Sequence, residues 1–255
     1  MFQRTRKLMS VLLLSIAATY TPATVSADDS EGTVLITGAN RGIGLALAEV
    51  FSNAGYSVIG TARRPAAATA LQALSVRVEQ LDVTDPESVA RLAGAVGKQP
   101  IDILINNAGM LSPEARDFSQ LDIEGLLTEY QVNSLGPLRV TQALLPNVAA
   151  SEGKIVANVS SMMGSMQLNT FGCCLGYRAS KAALNSFTKT LAVDQGKTGV
   201  VFVVLHPGYV KTDINGGAGQ ISSEQSAAGL FKVITGLDES ANGSFFNYDG
   251  KAMPW

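Results

Sequence analysis

A tyrosine and a lysine four residues apart form the pair with the clearest chemical potential in this sequence. Tyr177 and Lys181 stand in the stretch YRASK, near the beginning of a predicted helix, and residues four apart share one helix face. A free phenol has a pKa of about 10, which is high for proton transfer at neutral pH. A neighbouring ammonium group favours the phenolate, so we expect Lys181 to lower the pKa of Tyr177. Tyr177 is therefore a candidate acid/base, although the spacing alone also occurs on ordinary helices.

Two further polar residues could take part in the same chemistry. Ser161, in VSSMMG, follows a predicted strand and could donate a hydrogen bond to a carbonyl oxygen of a substrate; Ser160 beside it is the alternative serine. Asn133, in VNSLGP, could anchor a chain of water that returns a proton through Lys181. Together these side chains predict proton transfer to or from a carbonyl or hydroxyl group.

A glycine-rich turn lies between the first predicted strand and the first predicted helix. Glycines allow a tight turn and a close approach of the backbone to a diphosphate, and the N-terminus of the following helix offers free N–H groups and a positive dipole. The turn therefore predicts a dinucleotide site. Its residues read TGANRGIG from Thr37 onward, and the candidate cofactor contacts there are Gly38, Asn40, Arg41, Gly42, Ile43 and Gly44.

The charges near the second predicted strand favour NADP(H) over NAD(H). An NAD site of this type usually has an acidic residue at the end of the second strand, where it binds the ribose hydroxyl. No Asp or Glu occurs from Val50 to Val78, whereas Arg63 and Arg64 follow the strand and Arg41 lies in the turn. A guanidinium pairs with a phosphate on that ribose. The alternative is that these arginines are solvated surface charges.

The elements that position these residues follow from the hydrophobic pattern. Short β-branched runs alternate with longer helical stretches, and no linker interrupts the series, which indicates one α/β domain. The fold predicted is a single Rossmann-type, doubly wound parallel sheet of about seven strands flanked by helices on both faces. The predicted strands are Thr33–Thr37, Ser57–Thr61, Val76–Leu81, Ile101–Asn106, Lys154–Val159, Val200–His206 and Ser244–Tyr248. The predicted helices are Ile43–Asn53, Pro86–Val96, Ile123–Val132, Leu135–Ala149, Tyr177–Gln195 and Glu224–Thr235.

The order of the motifs resembles the short-chain dehydrogenase/reductase family. The glycine turn, the stretch NNAG that ends at Gly109, and the set of Asn133, Ser161, Tyr177 and Lys181 follow one another as in that family. The stretches HPGYVKTD and NYDGKAMPW are similar to its sniffer/C-factor-like carbonyl reductase branch.

The resemblance implies a role for each of these residues. Tyr177 would be the acid/base, Lys181 would tune it and hold the nicotinamide ribose, and Asn133 would support the proton relay. Ser161 is preferred to Ser160 because the family's serine precedes an xxG that Met162–Gly164 supplies. Further cofactor contacts implied are Asp82, Val83, Asn107, Ala108, Gly109, Pro207, Gly208, Val210 and Thr212.

The substrate side of the site is predicted to be apolar. Methionine adapts to varied shapes, and no Arg or Lys cluster occurs in the Gly-rich segment between Thr212 and Glu224. We expect NADPH-dependent reduction of small hydrophobic aldehydes, ketones or quinones. The alternative is a secreted or surface C-factor-like protein that binds nucleotide or signals, with weak or vestigial reductase activity. The expected lining residues are Met110, Leu111, Met162, Met163, Met166, Phe171 and Tyr209.

The remaining titratable residues indicate structural roles. His206 is the only histidine and ends a predicted strand, so packing is expected and a two-histidine metal motif is excluded. Cys173 and Cys174 are adjacent, with α-carbons about 3.8 Å apart, below the span of about 4.4–6.8 Å of ordinary disulfides. They are expected to be two buried thiols. No metal is predicted.

The first 27 residues follow the plan of a signal peptide. Arg4, Arg6 and Lys7 precede an apolar run that is too short for the roughly 20 residues of a membrane span, and Ala27 ends a small-x-Ala pattern. We expect residues 1–27 to be an export leader, residues 28–255 to be the enzyme domain, and the product to be periplasmic or secreted. An uncleaved anchor, a transit peptide or a start codon placed too early is the alternative, and the protein would then be organellar or cytoplasmic.

The overall charge argues against nucleic-acid partners. The net charge is −2, and removal of the leader would make it more negative because three basic residues leave with it. Such a body has no general attraction to nucleic acid or anionic lipid. The expected partners are a small hydrophobic carbonyl compound and further copies of the chain, in a homodimer or a homotetramer.

Overall fold

The computed structural model describes residues 30–112 and 118–255, and its centre is a parallel sheet of seven strands. The predicted doubly wound architecture is confirmed, and strand ends differ from the predicted ones by one or two residues. The strand order is β3-β2-β1-β4-β5-β6-β7. The strands are β1 Thr33–Ile36, β2 Ser57–Ala62, β3 Arg77–Gln80, β4 Ile103–Asn106, β5 Ile155–Val159, β6 Val201–His206 and β7 Ser244–Asn247.

Helices alternate with the strands along the chain, as connections between parallel strands require. Six of the seven α-helices were predicted; the four-residue α2 was not. The helices are α1 Gly42–Asn53, α2 Thr69–Gln72, α3 Pro86–Val96, α4 Ile123–Tyr130, α5 Gly136–Ala149, α6 Leu175–Asp194 and α7 Ser223–Thr235.

Apolar residues cover both faces of the sheet. On one face, Val34 and Ile36 of β1 pack in a cluster with Phe51 of α1 and Leu230 of α7. On the other face, Leu35 packs in a cluster with residues of α3 and α5. Because both faces are covered, the strands are continuous hydrophobic runs instead of alternating ones. These two cores fix the strand ends on which the polar side chains sit.

The chain reverses its direction across the sheet between β1 and β4. From β1 it proceeds outward to β2 and β3, and then returns to form β4 on the other side of β1. Ligands of open parallel sheets bind in the crevice beyond the carboxyl ends of the strands at such a switch point. The glycine turn follows β1 and the NNAG stretch ends β4, so both lie at this crevice.

A π-helical turn joins α4 and α5 into one helical run. The turn covers Gln131–Leu135, where the sequence predicted the boundary between two separate helices. Inserted π turns are frequent at functional sites because the extra residue redirects a side chain. Here the turn carries the buried Asn133.

Within the two described ranges, no helix has both the length and the apolar character that crossing a bilayer requires. The predicted leader, residues 1–27, lies outside the described residues.

Candidate active site

The glycine turn has a shape that only glycine permits at its central positions. Gly38 and Gly42 have φ values of +66° and +54°, in the left-handed region. A Cβ on Gly44 would collide with the carbonyl oxygen of Gly38 and lie 2.5 Å from Nδ2 of Asn107. The backbone of the turn is therefore packed directly against itself and against the Asn107 side chain that follows β4.

The N-terminus of α1 opens towards the same crevice. Among the described residues no side chain caps this helix, and its first turn contains no acidic residue. The first N–H groups of a helix lack partners within the helix and carry positive partial charge, so they favour an anion. Both observations fit the diphosphate of a dinucleotide.

Thr37 organises the floor of the crevice. Its Oγ1 accepts hydrogen bonds from the N–H groups of Asn107 and Ala108, both at 3.0 Å. Asn107 in turn donates from Nδ2 to the carbonyl oxygens of Thr37 and Gly38. Sequence analysis quoted Thr37 only as the start of a motif; its hydroxyl is the link between the two strand ends.

Most of the predicted cofactor residues meet in one cleft of about 560 Å³. Of the predicted site residues, Ser161, Asn133, Gly208 and Val210 are not among those that line it. The lining includes Gly38, Asn40, Arg41, Gly42, Ile43, Gly44, Arg63, Asp82, Val83, Asn107, Ala108, Gly109, Tyr177, Lys181, Pro207 and Thr212. Lining residues that were not predicted as cofactor contacts include Thr61, Leu81, Thr84, Thr128, Val132, Val159, Lys211, Asp213 and Ile214.

One of the arginines predicted to bind the ribose phosphate, Arg41, forms an ion pair within the protein. Arg41 donates from a guanidinium nitrogen to Oδ2 of Asp213 at 2.9 Å, so its charge is already partnered across the mouth of the cleft. Arg63 is exposed and lines the cleft beside Asp82. Hydrogen bonds from Thr84 lower the pKa of Asp82, and the Arg63 charge lowers it further. The Arg41–Asp213 contact joins residues 172 positions apart, which no local pattern could reveal.

Tyr177 is the titratable group on the wall opposite the glycine turn. Its side chain is half-buried, and burial at its hydroxyl raises the pKa to about 12, while a hydrogen bond with Ser161 opposes that rise and the charge of Glu129 adds to it. The predicted lowering of this pKa by Lys181 is therefore wrong for this arrangement, because desolvation raises the pKa and Lys181 is not among the groups that shift it. The neutral phenol is the form that can donate a proton.

Lys181 lies one helical turn beyond Tyr177 on α6. Its side chain is buried, and Nζ donates to the carbonyl oxygen of Val159 at 2.9 Å while standing 5.8 Å from the centre of the Tyr177 ring. Burial lowers the pKa of this ammonium to about 8. The predicted convergence on one helix face is present, with the amine directed to the end of β5.

The two candidate serines have different environments. Ser160 is buried, and its hydroxyl donates to Oδ1 of Asn185 at 2.7 Å. Ser161 bonds to Tyr177 and accepts a hydrogen bond from the N–H of Met163. Ser161 is the serine that bonds to Tyr177, whereas Ser160 lines the cleft but donates its hydroxyl to Asn185.

Asn133 is buried and its amide is occupied by protein groups. Oδ1 accepts from the N–H of Met110, and Nδ2 donates to the carbonyl oxygen of Met110 and to Oγ of Ser180. A Cβ on Gly109 would lie 3.3 Å from Oδ1 of Asn133 and 3.7 Å from Nζ of Lys181. Asn133 thus holds the segment after β4, and its part in a proton relay stays a prediction.

His206 is a structural residue, as predicted from its place at a strand end. Burial lowers its pKa to about 4, so the imidazole is neutral at neutral pH. Its Nδ1 accepts a hydrogen bond from the N–H of Met162 at 3.2 Å. The histidine therefore fixes the turn that begins at Ser161.

A buried acid near the tyrosine was missed by sequence analysis. Glu129 of α4 is fully buried, and its Oε1 accepts from the N–H of Ser112 at 2.6 Å. Its charge raises the pKa of Tyr177. It lies in a polar helical stretch, so nothing in the sequence distinguishes it from a solvated surface acid.

The rim beyond Ser161 exposes large apolar side chains. Met166, Phe171 and Tyr209 are 78%, 63% and 52% exposed, and of the residues predicted to border the substrate only Met110 is among those that line the described cleft. The predicted burial of the two thiols is wrong: Cys173 is exposed and Cys174 half-buried, because they lie in the loop that leads into α6 and not in the core.

The comparisons with known proteins point to one family. A family model described as short chain dehydrogenase matches residues 32–221. The C-signal protein of Myxococcus xanthus is 40% identical over 156 residues, which cover 61% of this chain and 93% of that protein. The structure of an NADPH-bound carbonyl reductase from chicken fatty liver has a TM-score of 0.81 at 33% identity, covering 89% of this chain and 100% of its own. The carbonyl reductase Sniffer of D. melanogaster also has a TM-score of 0.81 at 33% identity, covering 88% of this chain and 99% of its own.

Proposed function

This chain belongs to the short-chain dehydrogenase/reductase family, in its sniffer/C-factor-like branch, and from that membership we propose that it reduces small hydrophobic aldehydes, ketones or quinones with NADPH. The observation that carries the proposal is the position of Tyr177, whose buried hydroxyl bonds to Ser161 on the wall of the cleft that faces the glycine turn. The nearby carbonyl reductase structures, which cover nearly the whole described chain, favour this activity over vestigial nucleotide binding.

Each residue has a defined part in the proposed reaction. Bound NADPH would supply the hydride. Ser161 would donate a hydrogen bond to the substrate carbonyl oxygen, and Tyr177 would donate its proton to the same oxygen as negative charge develops there. With its pKa raised to about 12 by burial, the phenol is protonated at neutral pH and is the form that can donate a proton. Lys181 would place its positive charge beside the ribose of the cofactor.

The apolar rim supports a hydrophobic substrate. Met110 lines the cleft, and Met166, Phe171 and Tyr209 are exposed on the segments that follow the strands β5 and β6. Exposed apolar side chains in this number mark an interaction site more often than a solvated surface. A panel of aromatic, aliphatic and acidic carbonyl compounds tests this, and faster turnover of the acidic ones would contradict it.

Replacement of Tyr177 tests the proposed chemistry. Tyr177→Phe removes the proton donor and leaves the ring, so we expect kcat for NADPH-dependent carbonyl reduction to fall by about 10² to 10⁴. NADPH binding, measured by fluorescence titration, should change little. Equal rates for the variant and the wild type would contradict the proposed function.

We also propose a preference for NADPH over NADH that depends on Arg63. Arg63 follows β2, where no acidic side chain occurs, and it lines the cleft. A charge-assisted hydrogen bond to phosphate contributes about 1.5–3 kcal/mol, so Arg63→Asp should raise the NADPH KM by roughly 10- to 100-fold. The NADH KM should stay constant or fall. The matched control is Arg64→Asp, since Arg64 is also exposed but is not part of the cleft lining.

For the first 27 residues we propose a cleavable export leader. The support is their basic start, their short apolar run and the small residues before Ala27. N-terminal sequencing of the protein from separated cell fractions tests this. A mature chain that begins at Asp28 outside the cytoplasm is expected, and an intact N-terminus in the cytoplasm would contradict the leader.

A further inference from the structure

The chain's two cysteines face each other at the entrance to α6. Cys173 and Cys174 are adjacent in sequence, and the Sγ of Cys174 donates to the Sγ of Cys173 at 2.8 Å. Cys173 is exposed and Cys174 is half-buried, so an oxidant in solvent can reach the pair. With two cysteines in the sequence, each thiol has the other as its sole disulfide partner within the chain.

The backbone holds the two thiols on the same side. Gly172, Cys173 and Cys174 have φ values of +67°, +62° and +55°, whereas an extended backbone would point consecutive side chains to opposite faces. A left-handed residue other than glycine costs about 1–2 kcal/mol, and such residues persist where surrounding contacts impose them. Two in succession indicate a segment that is held firmly in this shape.

Arg178 makes the contacts that hold this left-handed backbone in place. Its Nε donates to the carbonyl oxygens of Gly172 and Cys173 at 2.9 and 3.0 Å, and its backbone N–H donates to the carbonyl oxygen of Cys174 at 2.8 Å. Its guanidinium carbon lies 4.5 Å from the centre of the Phe171 ring. One buried arginine, directly after Tyr177, therefore fixes the whole segment to the first turn of α6.

We propose that Cys173 and Cys174 form a modification site, a reversible disulfide between adjacent residues that lowers the reductase activity when it is oxidised. The oxidant is a hydroperoxide. The Cys173 thiolate attacks the peroxide oxygen, which yields a sulfenic acid and releases water or an alcohol. The Cys174 thiol then displaces water from that sulfur, and the S–S bond forms. Two thiols thus lose two electrons and two protons, and a dithiol reductant reverses the reaction.

The geometry that excludes an ordinary structural bridge favours a reversible one. Adjacent α-carbons are about 3.8 Å apart, outside the usual disulfide span, and departures from that span make the bond easier to reduce. The ring encloses no intervening residue, so it removes almost no loop entropy from the unfolded chain and stabilises the fold little. Strained, exposed disulfides are the labile and regulatory ones.

Formation of the Cys173–Cys174 disulfide would displace Tyr177, the proposed proton donor. This step rests on the proposed function. Cys174 immediately precedes α6, and Tyr177 lies in the first turn of that helix. The S–S bond changes the backbone torsions of both cysteines, and Arg178 transmits the change because it is bonded to both of their carbonyl groups. A displacement of about 1 Å at a reacting group can lower the rate about 100-fold.

The glycine turn is formed by other parts of the chain and makes no contact with this segment among the hydrogen bonds described. Oxidation should therefore lower kcat by at least about tenfold, through the displaced tyrosine, and leave NADPH affinity unchanged. This separation distinguishes a local effect on α6 from general oxidative damage.

The experiment uses the full chain, first reduced with dithiothreitol and then titrated with hydrogen peroxide. Intact mass should fall by two hydrogens, both thiols should become resistant to alkylation, and kcat should fall with the same dose dependence. Dithiothreitol should restore mass, alkylation and kcat. Cys173→Ser, Cys174→Ser and the double variant should keep the kcat of the reduced wild type and resist the reversible inactivation.

The variants also control for the methionines of the rim, which peroxide oxidises but dithiothreitol does not restore. Thiols that stay open to alkylation, or that pass to sulfinic acid without closing the ring, would overturn the proposal. A closed ring with unchanged kcat would overturn the regulatory effect. If the reduced protein fails to reduce carbonyl compounds, the proposed function is wrong. Intact mass and alkylation still show, in that case, whether the disulfide forms.

Discussion

The two walls of the cleft are built from different parts of the chain. The phosphate-loop wall, Thr37–Gly44 with Asn107–Gly109, is mainly backbone, and its central contact is the Thr37 hydroxyl that joins two strand ends. The tyrosine wall, Ser161–Lys181, presents side chains, and burial changes the pKa of both Tyr177 and Lys181.

The difference predicts two kinds of sensitivity. A wall made of backbone tolerates changes of pH because it contains few titratable groups, but it cannot accept an added atom. A wall made of side chains should tolerate substitutions at its rim. The activity that depends on it should change with the protonation of its titratable groups and with the oxidation state of its thiols. The following variants are ordered from the largest expected effect to the smallest.

Gly44→Ala should show how little space the phosphate-loop wall contains. The added Cβ would collide with the carbonyl oxygen of Gly38, so the turn must move away from Asn107. Overpacking of this kind costs about 1–3 kcal/mol, and we expect the NADPH dissociation constant to rise at least about tenfold. Fluorescence titration and urea unfolding measure the two effects.

The matched control for that variant is Gly94→Ala in α3. Apart from its chain neighbours and the nearby backbone of α3, no heavy atom of the described chain lies within 4 Å of the added Cβ, so stability should rise by up to about 1 kcal/mol with unchanged NADPH binding. If Gly44→Ala bound NADPH as tightly as Gly94→Ala, the description of this wall as close-packed backbone would be wrong.

Lys181→Met should reveal the pH dependence of the tyrosine wall. The folded pKa of Lys181, about 8, lies below its ordinary value of 10.5. Between those values the unfolded chain binds a proton that the folded chain does not, so the contribution of this residue to stability rises with pH. From about pH 8 to pH 10 the wild type should gain roughly 2 kcal/mol of unfolding free energy relative to the variant.

Urea unfolding at a series of pH values measures this difference, which is independent of any constant effect of the substitution on packing. If the difference in unfolding free energy between the wild type and Lys181→Met does not change with pH, then Lys181 has the same pKa in the folded and the unfolded chain. Gly44→Ala changes no titratable group, so its unfolding free energy should change with pH in parallel with that of the wild type.

Asp213→Asn should have the smallest effect, because it alters an exposed ion pair. Arg41 and Asp213 are largely solvated, and such pairs contribute about 0–1 kcal/mol. Release of Arg41 should lower the NADPH KM by at most about fivefold, with the gain lost at high salt and absent with NADH. Steady-state kinetics at two ionic strengths measures it, and an equal gain with NADH would show that Arg41 does not meet the ribose phosphate.

The phosphate-loop wall was largely predictable from sequence because its causes are local. The β-branched run of β1, the glycines at 38, 42 and 44 and the absence of acids after β2 can all be read within a short window. The confirmed fold follows from the same local periodicity. What stayed hidden was the ion pair of Arg41 with Asp213, since it depends on how distant loops meet.

The tyrosine wall was predictable in its residue types but not in its energetics. The spacing of Tyr177 and Lys181 correctly places both on one helix face, yet the direction of the pKa of Tyr177 depends on burial and on Glu129, neither of which a single stretch reveals. The adjacent cysteines suggested two buried thiols because their spacing excludes an ordinary disulfide, whereas the tertiary structure exposes Cys173 and half-buries Cys174.

The hydrogen bonds of Thr37 have a consequence for synthesis on the ribosome. Its hydroxyl meets an N–H group 70 residues further along the chain, so the glycine turn is not a self-contained unit. A nascent chain that has not yet emerged beyond Ala108 would carry all the glycines but not the floor against which they fold. The nucleotide therefore cannot serve as an early template for folding, and a truncated β1–α1–β2 fragment should bind it no better than an unstructured peptide would.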